Sequence, residues 1–382
     1  MAAVNNKQTN IERIMTLSVV IPVYNPQKYL INCLDSVLNQ SFNNFELIIV
    51  NDASTDDSIQ IINQYSKKDD RIKVFNNLEH QGAAYSRNIG LKAASGKYII
   101  FLDADDFFEL DFFENMISAI ESAKADIAIC GFFWRDERYG TDLALPLNLD
   151  LLKKIFISHF SPSDFNCKIF YDLPFAPFNK LIRRDILLEN NIYFQNIANC
   201  NDVYFGVMST AVSKRVVFVP KTFIHYRYNT GSQISTNRYK NPLCICYAFQ
   251  KIREDFLARG IWNKYCQMYY DKSVCSLFDQ AWSSLDPNIF LEYLRNTGLI
   301  KLGLEHLNPS NFSSFNIYGQ YRFLFFTGFT RFRGIPNILK CAFCALYQHE
   351  FSVFFLLIRQ TFFILKGRCK KFVRNLLVNF RS

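Results

Sequence analysis

No stretch of this chain stays hydrophobic long enough to cross a bilayer, which takes about 18 or more apolar residues. The nearest candidate, Ile338 to Leu365, is interrupted by Gln348-His349-Glu350 and again by Arg359-Gln360. Met1 to Leu17 lacks the apolar core of a secretory signal peptide. The expected compartment is therefore the cytoplasm, where thiols stay reduced. The eleven cysteines are an odd, scattered set. Cys244-Ile245-Cys246 and Cys341-Ala342-Phe343-Cys344 have no second Cys or His pair at zinc spacing, so they read as small buried hydrophobes. Glycine-rich nucleotide motifs are missing too. There is no G-x-G-x-x-G after the first apolar run and no G-x-x-x-x-G-K-[ST], which excludes the dinucleotide fingerprint and the P-loop. The absence of G-x-S-x-G excludes a hydrolase of the nucleophile-elbow kind.

Acidic residues are scarce in one place only. From Gln320 to Ser382 there are eleven Lys and Arg, thirteen Phe, and a single acid, Glu350. The whole chain has a net charge of +9, so the rest is close to neutral. The excess is a local basic, greasy surface and not a nucleic-acid coat; no nucleic-acid partner is expected. With 49% hydrophobic and 20% charged residues, the chain has ample material for a packed core.

Strand and helix patterns alternate over the first 135 residues. Leu17 to Val23 and Phe45 to Val50 are continuous apolar runs, as expected of strands buried on both faces. Pro26 opens a helix in which Leu30, Cys33, Leu34, Val37 and Leu38 share one face. Ser54 and Thr55 are candidate caps for a second helix, with Asp56 and Asp57 in its first turn. Arg71 to Phe75, Tyr98 to Leu102 and Asp126 to Trp134 are further strands; Gly82 to Ala94 and Asp111 to Ala123 are further helices. This order predicts an α/β doubly wound, mainly parallel sheet built by right-handed crossovers.

Beyond Trp134 the pattern loosens. Asp136 to Asp150 reads as a polar loop, Phe178 to Asn191 and Asp202 to Ala211 as short helices, and Val216 to Val219 and Phe223 to Tyr228 as strands. From Pro242 the signal is mostly helical. The expected organisation is a domain over 15–240, with halves 15–135 and 136–240, a helical region over 241–334, and a basic, Phe-rich amphipathic tail over 335–382.

Ligands of open α/β sheets sit beyond the carboxyl ends of the strands. Three such ends carry polar groups: Pro22, Tyr24 and Asn25 after the first strand, Asn51-Asp52 after the second, and Asp103-Ala104-Asp105 after the fourth. Two carboxylates two residues apart suit a Mg²⁺ or Mn²⁺ ion that takes its other ligands from water and a diphosphate. A solvated loop is the competing reading of this triplet, with Asp106 capping the helix after Phe107. Asp202 taken alone reads as a helix N-cap ahead of a catalytic base. His225 and Arg227 alternate with Tyr226 and Tyr228, so they face either a diphosphate or solvent. His80 reads as a surface residue.

The assembled blocks resemble family 2 glycosyltransferases of the GT-A fold, of the kind that build bacterial capsule, lipopolysaccharide or lipooligosaccharide. The likeness is carried by "LSVVIPVYNPQKYLINCLDSVLNQSFNNFELIIVNDASTDDS" and "RNIGLKAASGKYIIFLDADD", and resumes in "FNKLIRRDILLENNIYF", "NDVYF" and "HYRYNTGSQIS". It fades after about Lys240. The resemblance implies that Pro22, Tyr24 and Asp52 meet the base and ribose and that Arg87 lies near the phosphates. It makes Asp103 and Asp105 the D-x-D, with Asp105 on the metal (Mn²⁺ or Mg²⁺), and Asp202 the general base. It further implies inverting transfer of a hexose or N-acetylhexosamine, from a nucleotide-sugar donor that is commonly UDP-linked, to a glycan or lipid-linked acceptor. The basic tail would then lie against an anionic membrane surface, making the protein peripheral on the inner face of the membrane. Three departures stand out: Asn51 and Ala53 replace the first Asp and the Gly of the family's usual Asp-Asp-Gly-Ser, and Asn201 replaces the usual Glu beside the base. Ala53 matters if that position needs a positive φ. Two alternatives remain open, a sugar-phosphate nucleotidyltransferase and a non-catalytic carbohydrate-binding or scaffold protein on the same fold.

Overall fold

The computed structural model describes residues 15–145, 175–228, 241, 243–266 and 269. The chain divides into two compact units, Met1–Thr236 and Asn237–Ser382. In the second, the described residues form helix α7 (Cys244–Ala258), whose Ile245, Phe249, Ile252 and Phe256 are buried. The expected boundary near 334 and the tail over 335–382 lie outside the described residues.

The first unit is built on β1 (Leu17–Val23), β2 (Phe45–Asn51), β3 (Ile72–Asn76) and β4 (Tyr98–Phe101), all parallel, in the order β3-β2-β1-β4. β1 and β2 are covered on both faces, which is why their apolar runs show no alternation. The crossovers are α1 (Gln27–Leu38), α2 (Ser58–Ser66) and α3 (Ala83–Ala93). α1 buries Leu30, Cys33, Leu34 and Val37, the stripe that its spacing predicts. α3 lies against β1 at Gly90, where a Cβ would come within 2.2 Å of Val20. That close approach seats Arg87, one turn earlier on the helix, in the interior.

Beyond β4 the sheet continues through β8 (Lys180–Arg183), β6 (Ile127–Asp136), β9 (Val216–Tyr228) and β5 (Phe107–Phe108). β7 (Thr141–Leu145) forms a hairpin with β6. This half mixes directions: β8 is antiparallel to both β4 and β6, β9 runs parallel to β6, and β5 is antiparallel to β9. Three helices belong with it: α4 (Phe112–Ser122), α5 (Arg184–Glu189) and α6 (Asn201–Val212).

Several local expectations differ. Phe178 to Asn191 is not one helix, because Lys180–Arg183 is drawn between β4 and β6 as a strand and only Arg184–Glu189 is helical. The segment after Asp136 turns back as β7 where a loop was expected. The two expected strands over 216–228 are one, with Pro220 and Lys221 set out of register with β6, as proline in a sheet tends to be. α2 begins at Ser58, so Ser54 and Thr55 do not cap it. Their groups instead meet Asn25: the Asn25 amide donates to Ser54 Oγ at 3.2 Å, and the Thr55 amide donates to Asn25 Oδ1 at 2.8 Å. Asp106 does not cap a helix either, since Phe107–Phe108 is extended and α4 starts only at Phe112.

A buried carboxylate fastens the sheet at the amino ends of its strands. Glu46 on β2 accepts from Ser18 Oγ (2.6 Å) on β1, from the Ser95 amide and hydroxyl (2.6 and 2.8 Å), and from Lys73 Nζ (2.6 Å) on β3. Burial opposes its charge, but these donors more than offset it and hold the carboxyl at about 2. A depressed carboxyl stabilises the fold above its unfolded value of 4.5 and loses that contribution as pH falls towards about 2. Glu46→Gln is therefore expected to lower stability by about 2–3 kcal/mol at pH 7. In urea unfolding followed at several pH values, the gap to the unsubstituted protein closes as the pH falls below the unfolded value. A gap independent of pH would contradict this account.

Candidate active site

The parallel register sets the three polar strand ends side by side. Val23 pairs with Asn51, so Tyr24 and Asp52 follow on neighbouring strands. Leu102 donates its amide to Val20 O at 3.0 Å, which brings the start of the acidic loop level with Pro22. Pro22 is partly buried opposite Val50. Tyr24 is 47% exposed, and its ring stacks on that of His80 at 3.8 Å between centroids.

Asp52 is almost fully buried and its carboxylate is surrounded by donors. Oδ1 accepts from Asn77 Nδ2 (2.6 Å) and the Gln81 amide (3.0 Å); Oδ2 accepts from the Gly82 amide (2.7 Å) and lies 2.8 Å from His80 Nδ1. Burial alone would raise its pKa, yet the Gln81, Asn77 and Gly82 donors and His80 bring it below the usual carboxylate range. Asp52 thus shapes the loop that leads from β3 into α3. Ala53 beside it has φ +57°, the left-handed region that glycine tolerates best, so the departure noted in the sequence falls on a position that needs a positive φ.

The acidic loop is held from two sides. Arg87 on α3 donates from Nη2 to Asp103 Oδ1 (2.6 Å) and from Nη1 to Asn201 Oδ1 (3.1 Å). One guanidinium therefore ties the D-x-D to the first turn of α6. On the other side Arg227 of β9 donates to the Asp105 carbonyl, to Asn32 Oδ1 (2.6 Å) and to Glu137 Oε1 (2.9 Å). Its backbone amide donates to Asp106 Oδ1 at 2.9 Å. Asp106 is fully buried, and burial with Asp105 and Asp103 nearby pushes its carboxyl well up. Asp105 has a different situation: among the described residues no side chain donates to its carboxylate. Desolvation in the crevice, with Asp103 beside it, pushes that carboxyl up to about 6.

This pattern fits a divalent cation. Asp103 is committed to Arg87, whereas the Asp105 carboxylate lacks a counter-charge in hydrogen-bond contact. A Mg²⁺ or Mn²⁺ ion needs only one or two carboxylates when a diphosphate supplies other oxygens. Among the described residues no group of three or more His, Cys, Asp or Glu side chains could hold a metal by itself.

Asp202 lies in the first turn of α6, whose N-cap is Cys200 at φ +57°. Lys180 of β8 is buried, donates to Ala176 O (2.6 Å) and Asn179 Oδ1 (3.0 Å), and interacts electrostatically with Asp202. Burial brings its ammonium down to about 7, partly countered by Asp202.

His225 and Arg227 face neither solvent nor open crevice. His225 is stacked between Phe107 (4.2 Å) and Phe133 (4.7 Å), with Nε2 2.9 Å from Glu109 Oε1. Arg227 is the inner clamp just described. Sequence reasoning missed its role, along with those of Asn201, Lys180 and the His80–Asp52 contact. For Arg227 the signal lay in an Arg on an otherwise aromatic strand; for the others no local signal exists.

Residues 18–189 match the family described as "Glycosyl transferase family 2". Glycosyltransferase GlyG of Streptococcus pneumoniae is 28% identical over 226 residues, covering 58% of this chain and 73% of that protein. EpsH of Bacillus subtilis, which also carries a glycosyltransferase name, is 29% identical over 298 residues, covering 74% and 82%. Among solved structures, that of S. aureus TarS 1-349 in complex with UDP-GlcNAc superposes with a TM-score of 0.57 at 21% identity, covering 74% of this chain and 82% of that one. This likeness shows that the fold is shared.

Ala53→Gly is expected to relieve the left-handed strain and stabilise the protein by about 0.5–1 kcal/mol, allowing for the added backbone entropy of glycine in the unfolded chain. An increase in the urea midpoint with unchanged slope checks this. A fall in the midpoint would mean that the local backbone is not held as described.

Proposed function

We propose that the chain, whose residues 18–189 match glycosyltransferase family 2, is an inverting enzyme of that family. In this reading it moves a hexose or N-acetylhexosamine from a UDP-sugar to a hydroxyl of a glycan or lipid-linked acceptor in surface-polysaccharide synthesis. The observation that carries the reading is the linkage of the D-x-D loop, through Arg87, to Asn201 beside Asp202. It joins the loop that carries Asp105, the carboxylate suited to a metal–diphosphate, to the helix turn that bears the candidate base. The solved complex of TarS with UDP-GlcNAc supports the choice of donor class.

Each residue has a distinct task. Tyr24 offers an exposed ring to the base, beside Pro22 and the loop that Asp52 shapes. Arg87 lies near the phosphates; its Nε has no hydrogen-bond partner among the described residues, a buried donor suited to an anionic oxygen. Asp103 fixes Arg87. Asp105 is the ligand for Mn²⁺ or Mg²⁺, which when bound supplies Lewis-acid stabilisation of the leaving diphosphate. The acceptor hydroxyl attacks the anomeric carbon opposite the diphosphate and its proton passes to the Asp202 carboxylate. The glycosidic bond forms as the bond to the diphosphate oxygen breaks, and the configuration inverts without a covalent sugar–enzyme intermediate. Lys180, buried on β8, interacts electrostatically with Asp202.

A panel of nucleotide-sugars, assayed for turnover with and without divalent metal and with and without glycan and lipid acceptors, tests this. Release of nucleoside diphosphate with inverted sugar transfer is expected. Formation of a nucleotide-sugar from a sugar phosphate would identify a nucleotidyltransferase, and saccharide binding without turnover a carbohydrate-binding protein.

Asp202→Asn is expected to lower kcat by on the order of 10²–10⁴. Calorimetric affinity for the donor should stay close to that of the unsubstituted protein, because Asp202 serves the acceptor. Loss of donor binding with turnover per bound donor unchanged would overturn the assignment.

No helix among the described residues is long and apolar enough to cross a membrane. The charge and Phe content of 320–382 support the further reading that the tail binds an anionic membrane surface, each basic residue near the lipid adding about 1 kcal/mol. The full chain is expected to sediment with anionic liposomes, less so at high salt, and a chain ending at Gly319 to stay in the supernatant. Equal sedimentation of both would refute the membrane role.

A further inference from the structure

The hairpin of β6 and β7 carries aromatic side chains that the crevice does not use. Side chains alternate along a strand, so sequence neighbours lie on opposite faces of the sheet. On β6 and β9, Arg135 and Arg227 lie on the face that meets the acidic loop, and both guanidinium groups sit over the Phe107 ring. Trp134 and Tyr228 therefore lie on the reverse face. Their ring centroids are 5.4 Å apart and the rings are tilted by 42°. Leu143, directly across from Trp134 on β7, extends the same face. Trp134 is 43% and Leu143 64% exposed.

We propose that this reverse face is a second saccharide-binding site, separate from the catalytic crevice, which holds a neutral pyranose unit of a glycan against Trp134 and Tyr228. Rigidity is the first reason. Tyr228 Oη donates to Asp136 Oδ2 at 2.8 Å, and Arg138 donates to both oxygens of the same carboxylate at 3.1 and 2.8 Å. The Tyr228 ring is thus oriented before a ligand arrives, which lowers the ordering cost of binding. The polar edges of the two rings are the second reason. Among the described residues nothing accepts from the Trp134 indole N–H, so it is open to a sugar oxygen. The Tyr228 oxygen, having donated its proton, keeps a lone pair for a sugar hydroxyl. A pyranose has C–H bonds on its faces and hydroxyls around its rim, which matches apolar ring faces bordered by such groups. Charge is the third reason. Arg135 pairs with Glu137 and Asp142, and Arg138 with Asp136, so the charged side chains of the hairpin are taken up by one another. Two cations against three anions leave nothing to attract an anionic membrane. A glycan engaged both here and at the crevice is held at two points, which raises the effective concentration of its reacting end.

The proposal goes beyond the donor-site reading, and UDP affinity is the control that keeps the two apart. The full chain, Trp134→Ala and Trp134→Phe are applied to a printed array of neutral hexose and N-acetylhexosamine oligosaccharides. UDP is titrated calorimetrically into each with Mn²⁺ present. The unsubstituted protein is expected to be retained on a subset of the glycans, and Trp134→Ala to lose that retention. Trp134→Phe keeps a ring but not the N–H, and is expected to bind about three- to tenfold more weakly, the worth of one net hydrogen bond. UDP affinity is expected to be the same in all three. Retention of Trp134→Ala equal to that of the unsubstituted protein overturns the proposal, as does an unsubstituted protein that no neutral glycan retains. Should Trp134→Ala not fold, unchanged retention of Trp134→Phe overturns it instead. Loss of UDP affinity together with glycan retention in a folded variant would place Trp134 in the donor site and overturn the separate site. If none of the three binds UDP, the donor reading fails and the array still decides this one.

Discussion

The site depends on two guanidinium groups that hold one acidic loop. Asp103, Asp105 and Asp106 lie within four residues of each other and would repel if left to themselves. Arg87 takes the first, and Arg227 takes the backbone of the second and, through its own amide, the side chain of the third. Both arginines are buried, where an ion pair is stiff and poorly screened. Removing the Arg87 guanidinium would leave the Asp103 carboxylate without the counter-charge that it meets at 2.6 Å. The consequence for chemistry is selective. The Asp103 carboxylate is neutralised by protein and Asp106 is sealed in the core, so Asp105 alone among the three is left with its carboxylate wanting a cation.

The same arrangement explains how distant parts of the chain form one crevice. Arg87 belongs to a parallel crossover, Asn201 and Asp202 to a helix of the mixed half, and Arg227 to a long strand paired with β6. The close packing of α3 on Val20 at Gly90 places Arg87, and the displacement of Pro220 and Lys221 lets β9 continue far enough to place Arg227. Glu46, at the opposite ends of the strands, ties β1, β2 and β3 together, so the polar strand ends stay level too.

Much of this was legible in the sequence because it is local. The buried strands announce themselves as unbroken apolar runs, α1 by its stripe, and the D-x-D by following a buried strand directly. What was not legible depends on partners far along the chain. Lys180-Leu181-Ile182-Arg183 has helical neighbours and becomes a strand only because β4 and β6 lie on either side of it. Ser54 and Thr55 look like caps until Asn25, about thirty residues earlier, takes their hydrogen bonds. Arg227 meets Asp105 across 122 positions, a contact that no spacing rule reaches. Asp52 was recognisable as an acid at a strand end, but the four groups that surround its carboxylate come from folding.

The central claim is that Asp105 supplies the metal-dependent part of donor binding. Its direct test is the affinity of UDP for the protein and for Asp105→Asn, each measured calorimetrically in Mn²⁺ and again in chelator, with circular dichroism to confirm that both are folded. The account predicts that Mn²⁺ strengthens UDP binding to the unsubstituted protein and has little effect on a folded Asp105→Asn. A folded Asp105→Asn that binds UDP with the full metal dependence of the unsubstituted protein would contradict it.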